Sequence, residues 1–448
     1  MTPARTFRIT TAPAQAPLVE ALLAAQGFTC EAEPFLASAR RLTAEPFPLG
    51  SSLAAAFGLI YIQDRSSMLP PALLGAALAK QGASPVCLDM CASPGGKTGI
   101  LALAVGRQGF VLAAEASRER LTTLRQNLRR MNAANTATAG AEAQHLPLPL
   151  GSLDAILLDP PCSGWGTVDK NPRVMELWTP EKAEPLVRLQ RALLTRAAAL
   201  LKPGGRLMYS TCTTHVRENE EQAAWALSTL PLSLSALPAP PGFAPRDPAL
   251  PGLGGVLRVG GTRTGYGTGD RADDRDAASE GQGFFLACFV KKDGLLADEA
   301  EGRAERATEI SGRALSARDI SSAGPLTPGN LPPGEARDFG GKVYFLHQAA
   351  LDLLSRSGAG LRWQGLPLGT VSGGRFRPDP RARLLLAPAD TLPGSLRLDV
   401  DEPAPILDLL AGRSLDLPGA GNLVGLYFRG LPLGLVTRKG RRLLWSNR

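Results

Sequence analysis

Two cysteines stand where this sequence could carry out covalent chemistry. Cys162 lies just beyond the apolar run that ends at Leu158, in the segment Asp-Pro-Pro-Cys-Ser-Gly, and Cys212 ends a second apolar run in the segment Ser-Thr-Cys. A cysteine thiolate is a nucleophile that can form a transient covalent bond with a substrate. The surrounding prolines and hydroxyl groups favour a chemical role for both thiols over a packing role.

The remaining cysteines have a simpler interpretation. A cysteine near a strand end is most often a small buried hydrophobic residue. We interpret Cys30, Cys87 and Cys288 in this way because they lie within apolar stretches, and Cys91 as a residue that packs in a loop. Neither the six cysteines nor the three histidines have the spacing of a metal site or a catalytic triad, so we predict no metal and no catalytic histidine.

A third segment, residues 89–98, leaves an apolar run through a turn of small residues that ends Pro-Gly-Gly-Lys-Thr. It is not a phosphate-binding P-loop, because Cys91 stands where that motif needs its first glycine, and the G-x-G-x-x-G fingerprint is absent. Glu115 follows the next predicted strand, where an acid can accept hydrogen bonds from two ribose hydroxyls. These features suit a nucleoside without phosphates, such as S-adenosylmethionine.

Paired thiols and a methyl donor together suit a modification of cytosine. Carbon 5 of cytosine is a poor nucleophile, but a thiolate added to carbon 6 makes it reactive. After methyl transfer the carbon 5 proton must be removed before the thiol can leave, and two cysteines could divide these tasks. Asp159 is a candidate hydrogen-bond partner for the N3/N4 edge of the base. Because the base must be unstacked, single-stranded nucleotides are favoured.

The elements that position these residues follow a βαβ pattern. The sequence predicts strands at 86–90, 110–115, 154–159 and 206–212, and helices at 98–106, 117–131 and 180–201. This alternation is typical of an α/β fold with a doubly wound, Rossmann-like parallel sheet. Ligands of such sheets bind at the carboxyl ends of the strands, so the glycine turn and both thiols should share one cleft.

Composition divides the rest of the chain. We expect a helical, RNA-binding region over 1–84, the α/β domain over 85–292, a flexible linker over 293–340 and a small basic, β-rich, RNA-binding domain over 341–448. The last domain contains Gly-Leu-Pro-Leu-Gly twice, at 365–369 and 430–434, which predicts two comparable hairpins. Basic residues that could contact phosphates follow each copy: Arg375, Arg377, Arg438, Lys439, Arg441 and Arg442.

Charge and hydropathy restrict the partners and the location. The net charge is +8, and residues 341–448 hold 15 of the 49 Lys and Arg residues but only 8 of the 41 Asp and Glu residues. This basic end predicts a nucleic-acid partner and not a membrane, since no basic amphipathic helix is evident. No apolar run approaches the ~18 residues of a membrane span, and the start lacks a signal-peptide pattern, so we expect a cytoplasmic protein.

Three motifs in the same order resemble those of the Sun/Fmu-type RNA cytosine-5 methyltransferases. They are the segments 89–98, 159–164 and 210–213, supported by Tyr-Ile-Gln-Asp-Arg-Ser-Ser-Met at 61–68 and Asn-Glu-Glu at 219–221. The resemblance covers roughly residues 58–290. It implies a class I methyltransferase domain over 85–292, with S-adenosylmethionine as cofactor and RNA as substrate.

The resemblance also implies roles for individual residues. Cys212 would be the nucleophile, and Cys162 would assist product release. The cofactor contacts would be Cys91, Ala92, Ser93, Pro94, Gly95, Gly96, Lys97, Glu115 and Asp159, with Glu142 as the nearest acid after the third strand, where the family's usual Asp is absent. We also count Lys97 and Asp159 as catalytic candidates.

The C-terminal domain resembles the PUA-like appendage of the bacterial enzymes that modify small-subunit ribosomal RNA. We therefore expect ribosomal RNA or the small ribosomal subunit as the partner, and a monomeric enzyme. The alternatives are the same reaction on transfer RNA and a non-catalytic RNA-binding assembly factor. A DNA cytosine methyltransferase would use the Pro-Cys thiol as nucleophile and leave Cys212 without a task.

Overall fold

The N-terminal part of the chain combines helices with a sheet. The computed structural model describes residues 5–80, 84–168, 171, 173–177, 179, 181–260, 282–293, 310–321, 324–358 and 360–445. The first elements are β1 (Thr6–Ile9), α1 (Ala16–Ala24), β2 (Thr29–Ala32), β3 (Ala39–Ala44), α2 (Leu53–Ala56), β4 (Ile60–Ile62) and α3 (Leu69–Ala79). The four strands form an antiparallel sheet in the order β2-β3-β1-β4. The sequence predicts helices and one extended stretch, residues 58–64, in this region. Strand β4 agrees with that stretch, but the prediction missed β1 to β3, because strands of four to six residues are too short to show a clear period.

The central domain is the predicted Rossmann-like sheet. Its strands are β5 (Val86–Asp89), β6 (Phe110–Ala114), β7 (Thr136–Ala139), β8 (Leu153–Leu158), β9 (Leu201–Thr211), β10 (Leu232–Ser235), β11 (Leu257–Val259) and β12 (Phe284–Lys291). Its helices are α4 (Gly96–Val105), α5 (Arg118–Met131), α6 (Val174–Leu177), α7 (Glu184–Leu200) and α8 (Glu220–Thr229). The strand order is β10-β12-β9-β8-β5-β6-β7, and β5 to β9 are parallel. Their carboxyl ends therefore meet at one edge, as expected.

Helix α5 illustrates how the local sequence fixes these elements. The Ser117 side chain accepts a hydrogen bond from the backbone N–H of Arg120 and caps the first turn. The apolar side chains recur at helical spacing, and four of them are buried: Leu121, Leu124, Leu128 and Met131. The helix ends at Asn132, which adopts the left-handed conformation.

The C-terminal part is β-rich, as predicted, and begins earlier than predicted. Its elements are β13 (Arg313–Leu315), α9 (Ala317–Ser321), β14 (Gly334–Phe339), β15 (Lys342–His347), α10 (Gln348–Ser355), β16 (Trp363–Gln364), β17 (Leu366–Ser372), β18 (Arg375–Pro378), β19 (Arg397–Val400), α11 (Ala404–Leu410), β20 (Leu415–Asp416), β21 (Leu423–Phe428), β22 (Leu431–Lys439) and β23 (Arg442–Leu444). All of these strands except β16 form two five-stranded sheets, β13-β14-β15-β17-β18 and β19-β21-β22-β23-β20.

The flexible linker predicted over 293–340 is therefore wrong for residues 310–321 and 324–340. Strands β13 and β14 belong to the first C-terminal sheet, since β14 pairs with β15 along its whole length. Polar, glycine-containing sequence concealed them, because one face of this sheet is exposed to solvent. Residues 294–309 of the predicted linker lie outside the described residues.

The two Gly-Leu-Pro-Leu-Gly copies occupy equivalent places. Each begins the second strand of an antiparallel pair, β17 after β15 and β22 after β21. In each pair a proline of the copy, Pro367 or Pro432, lies opposite a tyrosine, Tyr344 or Tyr427, beside a shift in register. The strand then turns into a hairpin with β18 or β23. The sequence repeat thus corresponds to a repeated hairpin.

The N-terminal and C-terminal regions share one hydrophobic core. The predicted boundaries implied that they are separate modules, and the structure differs from that prediction. Phe7 and Phe57 pack in the same cluster as Ile406, Leu426 and Phe428. Strand β16 also extends the central sheet beside β7. Within the described residues, no helix combines the length and the apolar character needed to cross a membrane.

Candidate active site

The two candidate thiols face each other at the carboxyl edge of the central sheet. Cys162 follows β8 and Cys212 follows β9, and these strands are parallel neighbours. Their Sγ atoms lie 3.4 Å apart, and both side chains are half-buried. Residues 50 positions apart in sequence thus meet because their strands end side by side.

The surroundings of Cys162 disfavour its ionised form. Its hydrogen bond to Cys212 raises the pKa of the Cys162 thiol well above its ordinary value. Burial raises this pKa further, as do the negative charges of Cys212 and Glu218. The raised pKa therefore favours the protonated form of the Cys162 thiol, which lies in hydrogen-bond contact with Cys212.

An ion pair lies beside the thiols. Lys97 Nζ is 2.6 Å from Asp159 Oδ2, and the hydroxyl of Ser210 donates to Asp159 Oδ1 at 3.0 Å. Burial alone would lower the pKa of Lys97, but the charge and hydrogen bond of Asp159 and the charge of Cys212 outweigh it and raise this pKa. Lys97 is thus a fixed ammonium group close to both Asp159 and Cys212.

The glycine turn begins helix α4 and packs closely on its surroundings. Gly95 has a left-handed backbone with φ of 102°, and a Cβ added at Gly96 would lie 2.9 Å from a ring carbon of Tyr61. The buried Arg8 donates to the carbonyl oxygen of Gly96 at 3.1 Å. The N-terminal sheet therefore contacts the turn directly, and sequence analysis found no signal for this role of Arg8.

The residues at this edge fit a nucleoside cofactor. Glu115 is 4% exposed, and it follows β6. Its Oε1 accepts from the Ser117 N–H at 3.0 Å, but its buried Oε2 has no hydrogen-bond donor, although the Arg120 guanidinium lies 3.4 Å away. A buried carboxylate oxygen that still needs donors suits ribose hydroxyls.

The other predicted cofactor contacts differ in their environments. Burial and then the negative charges of Asp89, Asp159 and Glu115 raise the pKa of Cys91, so this residue lies where three acids converge. Asn127 donates to Pro94 O, and Ser93 donates to Arg120 O, so helix α5 holds the turn. Ala92, Gly95 and Gly96 are buried backbone positions of that turn.

Glu142 is the least integrated of the predicted site residues. It follows β7 at the correct edge, but its side chain is 61% exposed and accepts hydrogen bonds from Gln144 and His145, its own neighbours. The structure therefore brings Glu115, Lys97, Asp159 and the thiols together and leaves Glu142 at the rim.

Sequence analysis missed a buried polar cluster beneath the thiols. Glu218 is fully buried and accepts hydrogen bonds from Ser163, Gln190 and His215. His215 also packs against Trp165, with ring centroids 4.7 Å apart. The run of polar residues after Cys212 was the available signal, but the partners come from distant segments.

The C-terminal basic residues divide into two groups. Arg375, Arg377, Lys439 and Arg442 are exposed. Arg438 is 3% exposed and donates to the carbonyl oxygens of Ala420 and Ser395, so its predicted phosphate contact is wrong. Arg441 is exposed but pairs with Asp416 at 2.7 Å.

The parallel sheet has a glycine turn after its first strand and an acid after its second, and the reactive thiols lie at the same edge. This arrangement is that of a class I methyltransferase, whose cofactor is S-adenosylmethionine. The sequence model of the family described as 16S rRNA methyltransferase RsmB/F matches residues 76–238. The chain is 33% identical over 418 residues to ribosomal RNA small subunit methyltransferase F of Salmonella heidelberg, a match that covers 89% of this chain and 79% of that protein. The chain therefore belongs to the RsmB/F family of methyltransferases.

Solved structures agree with this fold. A methyltransferase homologue protein from Pyrococcus horikoshii is 29% identical, with a TM-score of 0.52, over 65% of this chain and 87% of that one. NSun6 from the same organism, solved with SFG, has a TM-score of 0.52 and 20% identity over 65% of this chain and 92% of that one. The second likeness extends to the fold alone.

Proposed function

We propose that this enzyme methylates carbon 5 of a cytosine in small-subunit ribosomal RNA through a transient bond between Cys212 and carbon 6. The observation that carries the proposal is the thiol pair, whose Sγ atoms lie 3.4 Å apart where two neighbouring parallel strands end. The raised pKa of Cys162 makes it the poorer nucleophile of the two, which supports Cys212 as the attacking sulfur. The family's printed description and the Salmonella relative's name support ribosomal RNA as the substrate.

Two charged side chains assist the attack. The Lys97 ammonium stabilises negative charge on the Cys212 sulfur, and the Asp159 carboxylate accepts a hydrogen bond from the cytosine N4 amino group. When bound, S-adenosylmethionine supplies the electrophilic methyl group. We expect the turn 91–97, Glu115 and Asp159 to hold this cofactor, with Glu142 in contact at the rim.

Formation of the adduct prepares Cys162 for its own step. Once the Cys212 sulfur is bonded to carbon 6, it carries no negative charge and is a poorer hydrogen-bond acceptor. Two of the causes that raise the pKa of Cys162 then disappear, and its proton can pass to solvent. The Cys162 thiolate next takes the carbon 5 proton, the double bond reforms, and Cys212 leaves as a thiolate.

Single substitutions test this division of tasks. We expect Cys212→Ala to abolish methyl transfer and adduct formation, and Cys162→Ala to accumulate a covalent protein–RNA complex that survives denaturing electrophoresis. Cys30→Ala is the control, because Cys30 lies in β2 of the N-terminal sheet. Adduct formation by Cys212→Ala but not by Cys162→Ala would reverse the roles and contradict the proposal.

The substrate is tested separately. We expect bisulfite sequencing of RNA from cells with and without this protein to reveal at least one cytosine of small-subunit ribosomal RNA that loses its methyl group. An unchanged ribosomal map together with an altered transfer RNA map would establish the alternative substrate.

A further inference from the structure

Glu218 is a buried carboxylate whose hydrogen bonds reach both cysteine-bearing turns. Its Oε2 accepts from the backbone N–H of Ser163 at 3.0 Å and from Gln190 Nε2 at 3.0 Å, and its Oε1 accepts from the Ser163 hydroxyl at 2.6 Å. His215 Nδ1 lies 3.1 Å from the same Oε1. A buried carboxylate is costly unless donors surround it, and here four donors do.

The first turn, which carries Cys162, is held on both sides. Ser163 directly follows Cys162 and gives Glu218 two hydrogen bonds. Gln190, which is fully buried, donates from one amide nitrogen both to Glu218 and to the carbonyl oxygen of Pro161 at 3.0 Å, just before Cys162. The backbone around this thiol is therefore fixed by a single buried cluster.

The second turn, which carries Cys212, joins the same cluster through the Thr213 hydroxyl as well as through His215. Thr213 directly follows Cys212, and its Oγ1 lies 2.7 Å from the Ser163 Oγ. Because the Ser163 proton points to Glu218, the Thr213 hydroxyl donates to Ser163. Asn219 donates to the Thr213 carbonyl oxygen at 2.9 Å and holds the turn from the other side.

We propose that Glu218 is a positioning residue that, through Ser163 and Thr213, holds the Cys162 sulfur against the Cys212 sulfur for product release. This inference rests on the proposed function. Carbons 5 and 6 of the base are adjacent, so the sulfur that takes the carbon 5 proton must lie close to the sulfur bonded to carbon 6. The attack needs only the Cys212 sulfur, whereas release needs both sulfurs in fixed positions relative to each other. Loss of the hydrogen bond between Thr213 and Ser163 should therefore slow release more than attack.

A matched pair of variants at position 213 tests the role of the hydrogen bond between Thr213 and Ser163. Thr213→Val keeps the shape of the side chain and removes its hydroxyl, whereas Thr213→Ser keeps the hydroxyl and removes a methyl group. Adduct formation is measured in a single turnover on RNA that contains 5-fluorocytosine, which has no carbon 5 proton to lose. Release is measured in multiple turnovers on ordinary RNA, together with the covalent complex that accumulates.

We expect Thr213→Val to slow release about tenfold or more and to accumulate the covalent complex, with adduct formation changed less than about twofold. Thr213→Ser should behave like the unaltered enzyme, and Glu218→Gln should match Thr213→Val if it folds. Unchanged release in Thr213→Val, or equal slowing of attack and release, would overturn the positioning role. If the unaltered enzyme forms no adduct on 5-fluorocytosine RNA, the proposed function itself is wrong and this inference falls with it.

Discussion

The Nζ atom of Lys97 lies 2.6 Å from Oδ2 of Asp159, although the two residues are 62 positions apart in sequence. Lys97 lies in the first turn of α4, and Asp159 follows β8, so the ion pair spans two strand ends of the sheet. Side-chain exposures of 18% and 24% leave the pair partly shielded from water, where its charges interact more strongly than on an open surface. It is therefore placed to act on charge that develops at Cys212.

Removal of the Lys97 ammonium should slow the attack on cytosine. We expect Lys97→Met to lower the rate of adduct formation by about 10²–10³, because the Cys212 thiolate then faces Asp159 without a compensating charge. Lys97→Arg keeps the charge and should retain part of the rate. Single-turnover kinetics on 5-fluorocytosine RNA measures this step.

Lys202→Met is the matched control for this prediction. Lys202 Nζ also lies 2.6 Å from a carboxylate oxygen, that of Asp154, but Asp154 is near the opposite end of β8. We expect this variant to form the adduct at the unaltered rate. Equal losses in both variants would show that Lys97 acts through stability and not through charge at the site.

Asp89 should make the stability of the protein depend on pH. Burial raises the pKa of this carboxyl from 3.8 to about 7, against the hydrogen bond from Thr98 at 2.7 Å. Between about pH 4 and pH 7, the carboxyl of Asp89 is therefore protonated in the folded state and ionised in the unfolded state. The contribution of Asp89 to stability is largest below pH 4 and falls as pH rises to about 7.

The comparison with Asp89→Asn isolates this effect, because the amide does not titrate. We expect the free energy of unfolding of the unaltered protein to fall relative to the variant by about 1.4 kcal/mol per pH unit between pH 5 and 7, and the difference to level off above pH 7. Urea unfolding at a series of pH values measures the difference. A difference that stays constant from pH 5 to 8 would contradict the raised pKa.

The sequence predicted the parts of the site that lie next to strand ends. Local patterns in the sequence mark the strand that begins at residue 86, the glycine turn and both thiol segments. They come together because the carboxyl ends of parallel strands lie at one edge of the sheet. The contacts of Arg8 and Glu218 could not be predicted in this way. Each depends on partners from other segments, such as Gly96 and Gln190, whose proximity follows only from the packed fold.

The domain boundaries were predicted less well for a related reason. Composition separates a polar segment from an apolar one, but it does not show which faces pack together. Arg383 illustrates the problem, because it is buried and donates to the carbonyl oxygens of Phe57, Arg130 and Met131. A residue that counts toward the basic excess of residues 341–448 thus joins three regions of the fold.

The core shared by the two ends of the chain should make them unfold together. Phe428 is fully buried in β21 and packs in one cluster with Phe7. We expect Phe428→Ala to lower the free energy of unfolding by about 3–5 kcal/mol through the lost contacts and the cavity. Leu407→Ala is the control, because Leu407 is 44% exposed and its loss should cost less than about 0.5 kcal/mol.

Amide hydrogen exchange shows which strands lose stability in this variant. In Phe428→Ala, amides of β1 and β21 should both lose protection, since the two strands contribute to one core. Protection that is lost in β21 but fully kept in β1 would mean that the C-terminal sheet folds as an independent unit.

The exposed basic residues of the C-terminal hairpins should supply salt-dependent affinity for RNA. Arg375 and Arg377 alternate along β18, so their side chains project from the same face of the sheet. If each contacts one phosphate, their joint replacement by Ala should weaken RNA binding and reduce the slope of log affinity against log salt by about 1.4, at about 0.7 per single-strand contact.

Arg413 and Arg441 provide the matched control, because both are exposed but already form ion pairs, with Asp408 and Asp416 respectively. Filter binding across a salt series should therefore show a smaller slope for Arg375→Ala/Arg377→Ala and an unaltered slope for Arg413→Ala/Arg441→Ala. Equal slopes for the two double variants would mean that β18 does not contact the RNA backbone.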